Sequence, residues 1–200
     1  MAYTKKFCQP VRMASQFVAT ELQHVALDAE VADGTLVTIE PGTFVADSVY
    51  SAAFGSTNAP AGLQVRKAVP TTEATAEDVF IIDIADVPTK SGQGMTIREG
   101  NLVIGLVAEA GQTVRARHLN KYDTFVVGID NVTTAPENAT KGNVVVADAD
   151  GGFTALTAAA GTEGFVGKIV DVYTVSQGVD ATTLGTKALR IDVVKNAVTE

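Results

Sequence analysis

Few side chains in this sequence are of types and spacings that could do chemistry. Asp148 and Asp150, in the run Asp148-Ala149-Asp150-Gly151-Gly152, open like a calcium loop. Such a loop needs a bidentate acid at its twelfth position, and counting from Asp148 that position is Ala159, which offers no side-chain oxygen. The run therefore reads as an Asp/Gly turn. His24 and His118 are the only 2 imidazoles. Each stands alone in strand-like sequence, with no H-x-H, H-E-x-x-H or cysteine partner, and reads as a packed or surface histidine rather than a ligand or base.

Cys8 has Lys5 and Lys6 close in sequence, cations of the kind that lower a thiol pKa, against which stands the plainer reading of a buried or interfacial thiol. There is no G-x-S-x-G, P-loop or G-x-G-x-x-G after a strand, and Gly92-Gln93-Gly94 lacks the third glycine and the helix. Acid/base work would fall to carboxylates alone, such as Asp83, Asp86, Glu99 or Asp123, and nothing in their spacing nominates a pair. No catalytic, cofactor-binding or metal site is expected, and the chain reads as a non-enzyme.

The elements that would position these residues are written in turns and strands. A phrase recurs at Asp33-Gly34-Thr35-Leu36-Val37, Glu99-Gly100-Asn101-Leu102-Val103 and Lys141-Gly142-Asn143-Val144-Val145: a charge, a glycine able to take positive φ, a small polar residue and an apolar run. Residues 34–46 and 142–155 extend the likeness and predict two similar hairpins, the first turning at Glu40-Pro41-Gly42. Residues 79–84 form the most apolar run, short and β-branched, and predict a central strand; residues 70–78, with three acids, predict an exposed loop. Further strands are expected at 63–69, 96–98, 101–108, 113–117, 124–129, 164–175 and 188–194. The best helical periodicity, at residues 13–22, is short. The expected fold class is all-β, a barrel or sandwich of short antiparallel strands with an extended amino-terminal arm. Residues 1–22 would be the arm, 23–110 a β-rich segment and 111–200 a β-barrel-like module, separate from 23–110 or continuous with it as one domain.

Composition bounds the partners. With 46% hydrophobic residues but no Trp, the core is built of Val, Ala, Ile and Leu, suited to thin β layers. The net charge of −8 disfavours nucleic acid, which demands concentrated positive charge. Residues 1–20 hold Lys5, Lys6 and Arg12 and no acid, whereas the remaining 12 basic residues face all 23 acids. No run approaches the ~20 apolar residues of a membrane span, and the start lacks the apolar core of a secretory signal, so synthesis and folding in the cytosol and no membrane contact are expected. A basic arm carrying spaced apolar anchors is expected to order against a partner surface through Lys5, Lys6, Phe7, Arg12, Met13 and Phe17.

The carboxy-terminal half resembles a known group. Residues Arg115-Ala116-Arg117-His118-Leu119, Tyr122-Asp123-Thr124-Phe125-Val126-Val127-Gly128, Lys141-Gly142-Asn143-Val144-Val145-Val146, Gly164-Phe165-Val166-Gly167-Lys168-Ile169-Val170 and Leu189-Arg190-Ile191-Asp192-Val193-Val194 are similar to the small β-barrel capsid decoration (cement) proteins of tailed bacteriophages. The resemblance implies a virion protein on the capsid surface that binds and stabilises the shell, with the major capsid protein and copies of itself, a trimer favoured, as partners and no cofactor. The amino-terminal arm and the strand-rich residues 63–97 exceed a minimal barrel of that kind. Two other classes stay open: a self-assembling tail-tube or head-completion subunit, and a carbohydrate-binding adhesin, which would present exposed aromatics as sugar platforms. The 4 tyrosines, Tyr3, Tyr50, Tyr122 and Tyr173, are scattered.

Overall fold

The computed structural model describes residues 6–46, 64–84, 107–174 and 185–197. The turn phrase at Glu99, the expected strand at 96–98, the Gly92 loop, Asp86, Lys5, Tyr3 and Tyr50 lie outside them. Among the described residues the chain is all-β, with no helix longer than a 3₁₀ turn.

A closed five-stranded barrel is formed by β2 (Leu22–Ala26), β4 (Leu36–Ala46), β5 (Gln64–Pro70), β6 (Phe80–Asp83) and β8 (Val114–His118), in the order β2-β5-β4-β6-β8 with β8 returning to β2. A seven-stranded sheet has the order β1 (Cys8–Arg12), β9 (Thr124–Gly128), β14 (Lys187–Asn196), β13 (Phe165–Thr174), β11 (Val144–Ala147), β12 (Phe153–Leu156), β10 (Val132–Thr134). A short pair, β3 (Val31–Ala32) with β7 (Val107–Ala108), stands beside them.

Period-2 alternation decides which face each strand buries. In β6, Phe80 and Ile82 point into the barrel with Val25, Val37, Val114 and Ala116, whereas Ile81 faces outward into a second core. That second core joins Leu36, Val79 and Ile81 from the barrel wall to Phe125, Phe153, Phe165, Ile169, Leu189 and Ile191 of the large sheet. Its three Phe rings pack with centroids 6.2–6.3 Å apart, in the tilted and edge-on arrangements that aromatic quadrupoles favour. Residues 79–84 thus form the expected central strand, buried on both faces because one face lines the barrel and the other the interlayer core.

The module boundary expected at 110/111 falls inside the barrel. The barrel closes from residues 22–118, since β8 pairs with β2 and β6, while the carboxy-terminal strands build the large sheet. The chain also crosses in the other direction, with Cys8, Gln9, Pro10 and Arg12 paired to Val127, Val126, Phe125 and Thr124. The expected arm is therefore extended but not apart from the body: residues 8–12 are an end strand of the large sheet. Pro10 is tolerated there because an edge strand leaves one row of donors unused.

Two turn glycines behave as expected, Gly34 at φ +79 and Gly142 at φ +96. The hairpins they introduce do not match. Residues 144–156 form a hairpin, β11 with β12. Residues 36–46 instead form one bent strand that stays paired to β5 on both sides of a register shift between Ile39 and Phe44. Pro41-Gly42, with Gly42 at φ +72, makes a bulge where a turn was expected.

The seam between layers is polar and closed. Buried Asp33 accepts from the amides of Cys8 (3.0 Å) and Ile84 (3.0 Å), and buried Asn131 accepts from the Phe7 amide (3.1 Å) and donates to the Asp33 carbonyl (3.1 Å). These bonds satisfy backbone groups that neither sheet pairs. Elsewhere the backbone of the 71–79 loop lies against Gly164, where a Cβ would sit 2.1 Å from the Ala76 carbonyl oxygen, so that only glycine admits the approach.

Candidate functional site

The six residues expected to meet a partner separate into two groups. Phe7 is fully buried with Val126 and Ala188, and Met13 is buried in the interlayer core, so their apolar surface is used inside the molecule. Neither is available for docking, because β1 carries them into the sheet. Lys6 is half-buried, Arg12 is exposed at the end of β1, Phe17 is 84% exposed, and Lys5 lies outside the described residues. Cys8 is also buried in the interlayer core, which agrees with the plainer reading of that thiol. His24 is exposed on β2.

Within the window of best helical periodicity, residues 14–21 form two 3₁₀ turns, Ala14–Gln16 and Ala19–Glu21. Side chains, not helical periodicity, hold them. The Gln16 Oε1 accepts from the Met13 amide at 2.9 Å, and the Asp123 carboxylate accepts from the Ala14 amide at 2.8 Å. Asp123 also caps the neighbouring turn, its other oxygen accepting from the Asn120 amide at 2.9 Å. Burial pushes the Asp123 carboxyl above its ordinary range, and the two amide bonds pull it back only in part.

Beneath this loop lies a line of charges drawn from distant parts of the chain. Asp83, fully buried, accepts from Arg117 Nε at 2.8 Å and from an Arg115 guanidinium nitrogen at 3.2 Å, while Arg117 also reaches Ser15. On the other face of β8, His118 places Nδ1 2.9 Å from Glu21 and Nε2 2.9 Å from Asp78, with its ring against Phe80 at 4.9 Å. Asn120 Nδ2 donates to the same Glu21 oxygen at 2.9 Å. Sequence isolates His118; the fold surrounds it with acids.

The frame presents apolar side chains to solvent. Phe17 and Val18 project from the loop, Val11 from β1 and Val194 from β14, and Tyr122 is 77% exposed at the tip of the 119–123 turn. Short backbone links relate their positions: Ala14 is bonded to Asp123, and the Tyr122 amide donates to the Val193 carbonyl at 2.9 Å. Tyr122 has φ +76, a left-handed conformation that bulky side chains rarely take. Lys121 lies over its ring, Nζ 5.1 Å from the centroid, and puts positive charge beside it. Sequence reasoning weighed Tyr122 only as one of four scattered tyrosines; the signal for its exposure was an aromatic in the short polar stretch Asn120-Lys121-Tyr122-Asp123 between two strands.

The Asp148 turn is structural. Its carboxylate accepts from the hydroxyls of Thr133 and Thr134 and from the Ala149 amide. Burial works against its ionisation, but bonds from Thr134, Ala149, Thr133 and Thr154 outweigh that and hold the carboxyl below its ordinary value. Comparison with family models, with curated proteins and with solved structures finds no match for the chain.

Proposed function

We propose that the chain is a non-enzymatic virion structural protein that attaches to a phage capsid shell as a decoration or auxiliary capsid protein. The reading joins two supports: the resemblance of the carboxy-terminal strands to capsid decoration proteins, and the exposed aromatic side chains of Phe17 and Tyr122. The second carries it. Exposed large apolar side chains on a mobile tail would mean little, but here Phe17 follows a turn tied to Asp123 and Arg117, and Tyr122 is held in a left-handed conformation costing about 1–3 kcal/mol. Rigidly presented aromatics are the usual anchors of protein interfaces, and strain retained at an exposed residue points to use.

The partner is then a shell surface with an apolar recess for Phe17 and Tyr122 and acidic groups facing Arg12 and Lys121. Binding to the assembled shell and not to its free subunits would stabilise the particle by mass action, and many symmetry-related copies would turn a modest contact into high avidity. No reacting group is required for this work.

The test is copy number. Particles that contain the protein are purified, its copies are counted against the major shell subunit, and the count is repeated with Phe17→Ser and Tyr122→Ser chains whose thermal unfolding matches the parent. Loss of copies with the fold intact is expected. Unchanged occupancy in both variants overturns the reading, and rings or tubes formed by the protein alone would move it to a tail-tube or head-completion subunit.

A further inference from the structure

His118 sits at one end of the barrel, on the last residue of β8, where the strand's inward face meets the 14–21 loop. Each of its ring nitrogens is 2.9 Å from a carboxylate oxygen, Nδ1 from Glu21 and Nε2 from Asp78, and Nδ1 is also 3.2 Å from Asn120 Oδ1. All three neighbours are acceptors. Asn120 cannot supply a proton at that point, since its amide nitrogen is engaged with Glu21. A neutral imidazole carries one N–H, so one of its nitrogens would turn a lone pair toward a carboxylate; an imidazolium donates at both. The ring is only 13% exposed and packs on Phe80, which limits the water that could intervene.

The two acids belong to different segments. Glu21 ends the loop that carries Phe17, and Asp78 lies near the end of the 71–79 loop, whose last residue, Val79, is bound through its amide and carbonyl to Asn196 of β14. Asp78 is therefore anchored to the large sheet, while Glu21 belongs to the smaller element. The charged groups around the ring are Glu21 from the loop, Asp78 from the 71–79 segment and Asp123 from the 119–123 turn, which interacts electrostatically with both His118 and Glu21. Arg115 and Arg117 lie on the opposite face of β8 and are committed to Asp83. His118 is thus the one imidazole in a group of three acids.

We propose that His118 is a pH-operated latch: as imidazolium it bridges Glu21 to Asp78 and fixes residues 14–22, and on losing one proton it can donate to only one of the two, which opens the bridge and loosens that loop. Histidine is the side chain whose charge changes between pH 5 and 8, and the latch is a property of the free chain. Its consequence, that Phe17 is presented rigidly at the lower pH and loosely at the higher, rests on the docking role proposed above.

Hydrogen exchange of the isolated full chain, followed by mass spectrometry and corrected for the intrinsic pH dependence of exchange, reads the latch directly. Peptides covering residues 14–22 are compared with those of β13 and β14 between pH 5.5 and 8. Protection of 14–22 relative to the reference strands is expected to fall roughly tenfold as pH rises, the order expected when a charge-assisted bond is lost. The fall is expected to vanish in His118→Gln and to persist in His24→Gln. Glu21→Gln, which leaves the histidine in place, serves if His118→Gln does not fold, and is expected to flatten the profile. A relative protection constant across the range in the parent chain, or a fall that survives both His118→Gln and Glu21→Gln, overturns the latch. Because these measurements use the chain alone, a failure of docking leaves them untouched, and an intact latch with no shell attachment counts against the docking role only.

Discussion

Asp83→Ala is expected to be among the most damaging single changes to the charge line beneath the loop. The carboxylate is fully buried and receives Arg117 Nε at 2.8 Å and Arg115 at 3.2 Å, and the Arg117 side chain is itself only 9% exposed. Deleting the acid strands a guanidinium that water hardly reaches, a loss of about 3–5 kcal/mol for a buried pair broken on one side. Arg115, more exposed, turns to solvent and moderates the loss only slightly. For a chain of this length that corresponds to a fall in Tm of about 10 °C. Urea unfolding should show the midpoint shifting at unchanged slope, because the surface exposed on unfolding is the same. The double variant Asp83→Ala with Arg117→Met replaces the pair with apolar volume and should recover to within about 2 kcal/mol of the parent. If Asp83→Ala costs less than about 1 kcal/mol, or the double variant falls as far as the single, the account of a desolvated pair is wrong.

Three further outcomes follow from the geometry. Gly34→Ala would place a Cβ 2.5 Å from Asn131 Nδ2 and 3.0 Å from the Phe7 carbonyl at φ +79; a loss of about 3 kcal/mol by denaturant titration is expected from left-handed strain plus a disrupted buried bond, and a loss under about 1 would show that the seam yields. Tyr122→Gly should leave stability unchanged or raise it by up to about 1 kcal/mol, because relief of the φ +76 strain offsets glycine's entropy, while shell attachment falls; a clear destabilisation would show that the ring packs structurally. Asp148 and Glu163 both have carboxyls held below their ordinary values, so the stability they contribute is present above the unfolded carboxylate range, ~4, and is lost as pH falls through their lower folded values. Asp123, raised by burial, acts with the opposite sign. Asp148→Asn should therefore flatten the decline of Tm between about pH 5 and 2.5, and a slope equal to the parent's would remove Asp148 from the acid response.

What could be read from the sequence was what is local. The strand at Phe80–Asp83 announces itself because a short β-branched run bounded by turns has few other fates, and the turns at Gly34 and Gly142 because positive φ selects glycine. The bend in β4 was misread as a hairpin turn because Pro-Gly serves turns and bulges alike. What distinguishes them is whether the next residues fold back on the strand or, as Phe44 and Val45 do, continue pairing with β5. The same limit applies to the site. His118 was visible, but the acids that give it a role come from 97 and 40 residues away, and no pattern along the chain records that distance.

The exchange of strands between the two layers determines which experiments can speak to function. Residues 8–12 belong to the large sheet and residues 114–118 to the barrel, and the Asp33–Asn131 seam ties Phe7 and Cys8 to both. Removing residues 1–20 would therefore delete a strand together with Phe7, Cys8 and Met13 from the interior. Each large apolar side chain lost costs about 2–5 kcal/mol, and together they exceed a substantial part of the 5–15 kcal/mol that holds a typical domain folded. A truncated chain that failed to attach would then report unfolding, whatever the loop does. Phe17 and Tyr122 escape this confusion because they contribute little to the core, and a change in attachment on replacing either can be assigned to its exposed side chain.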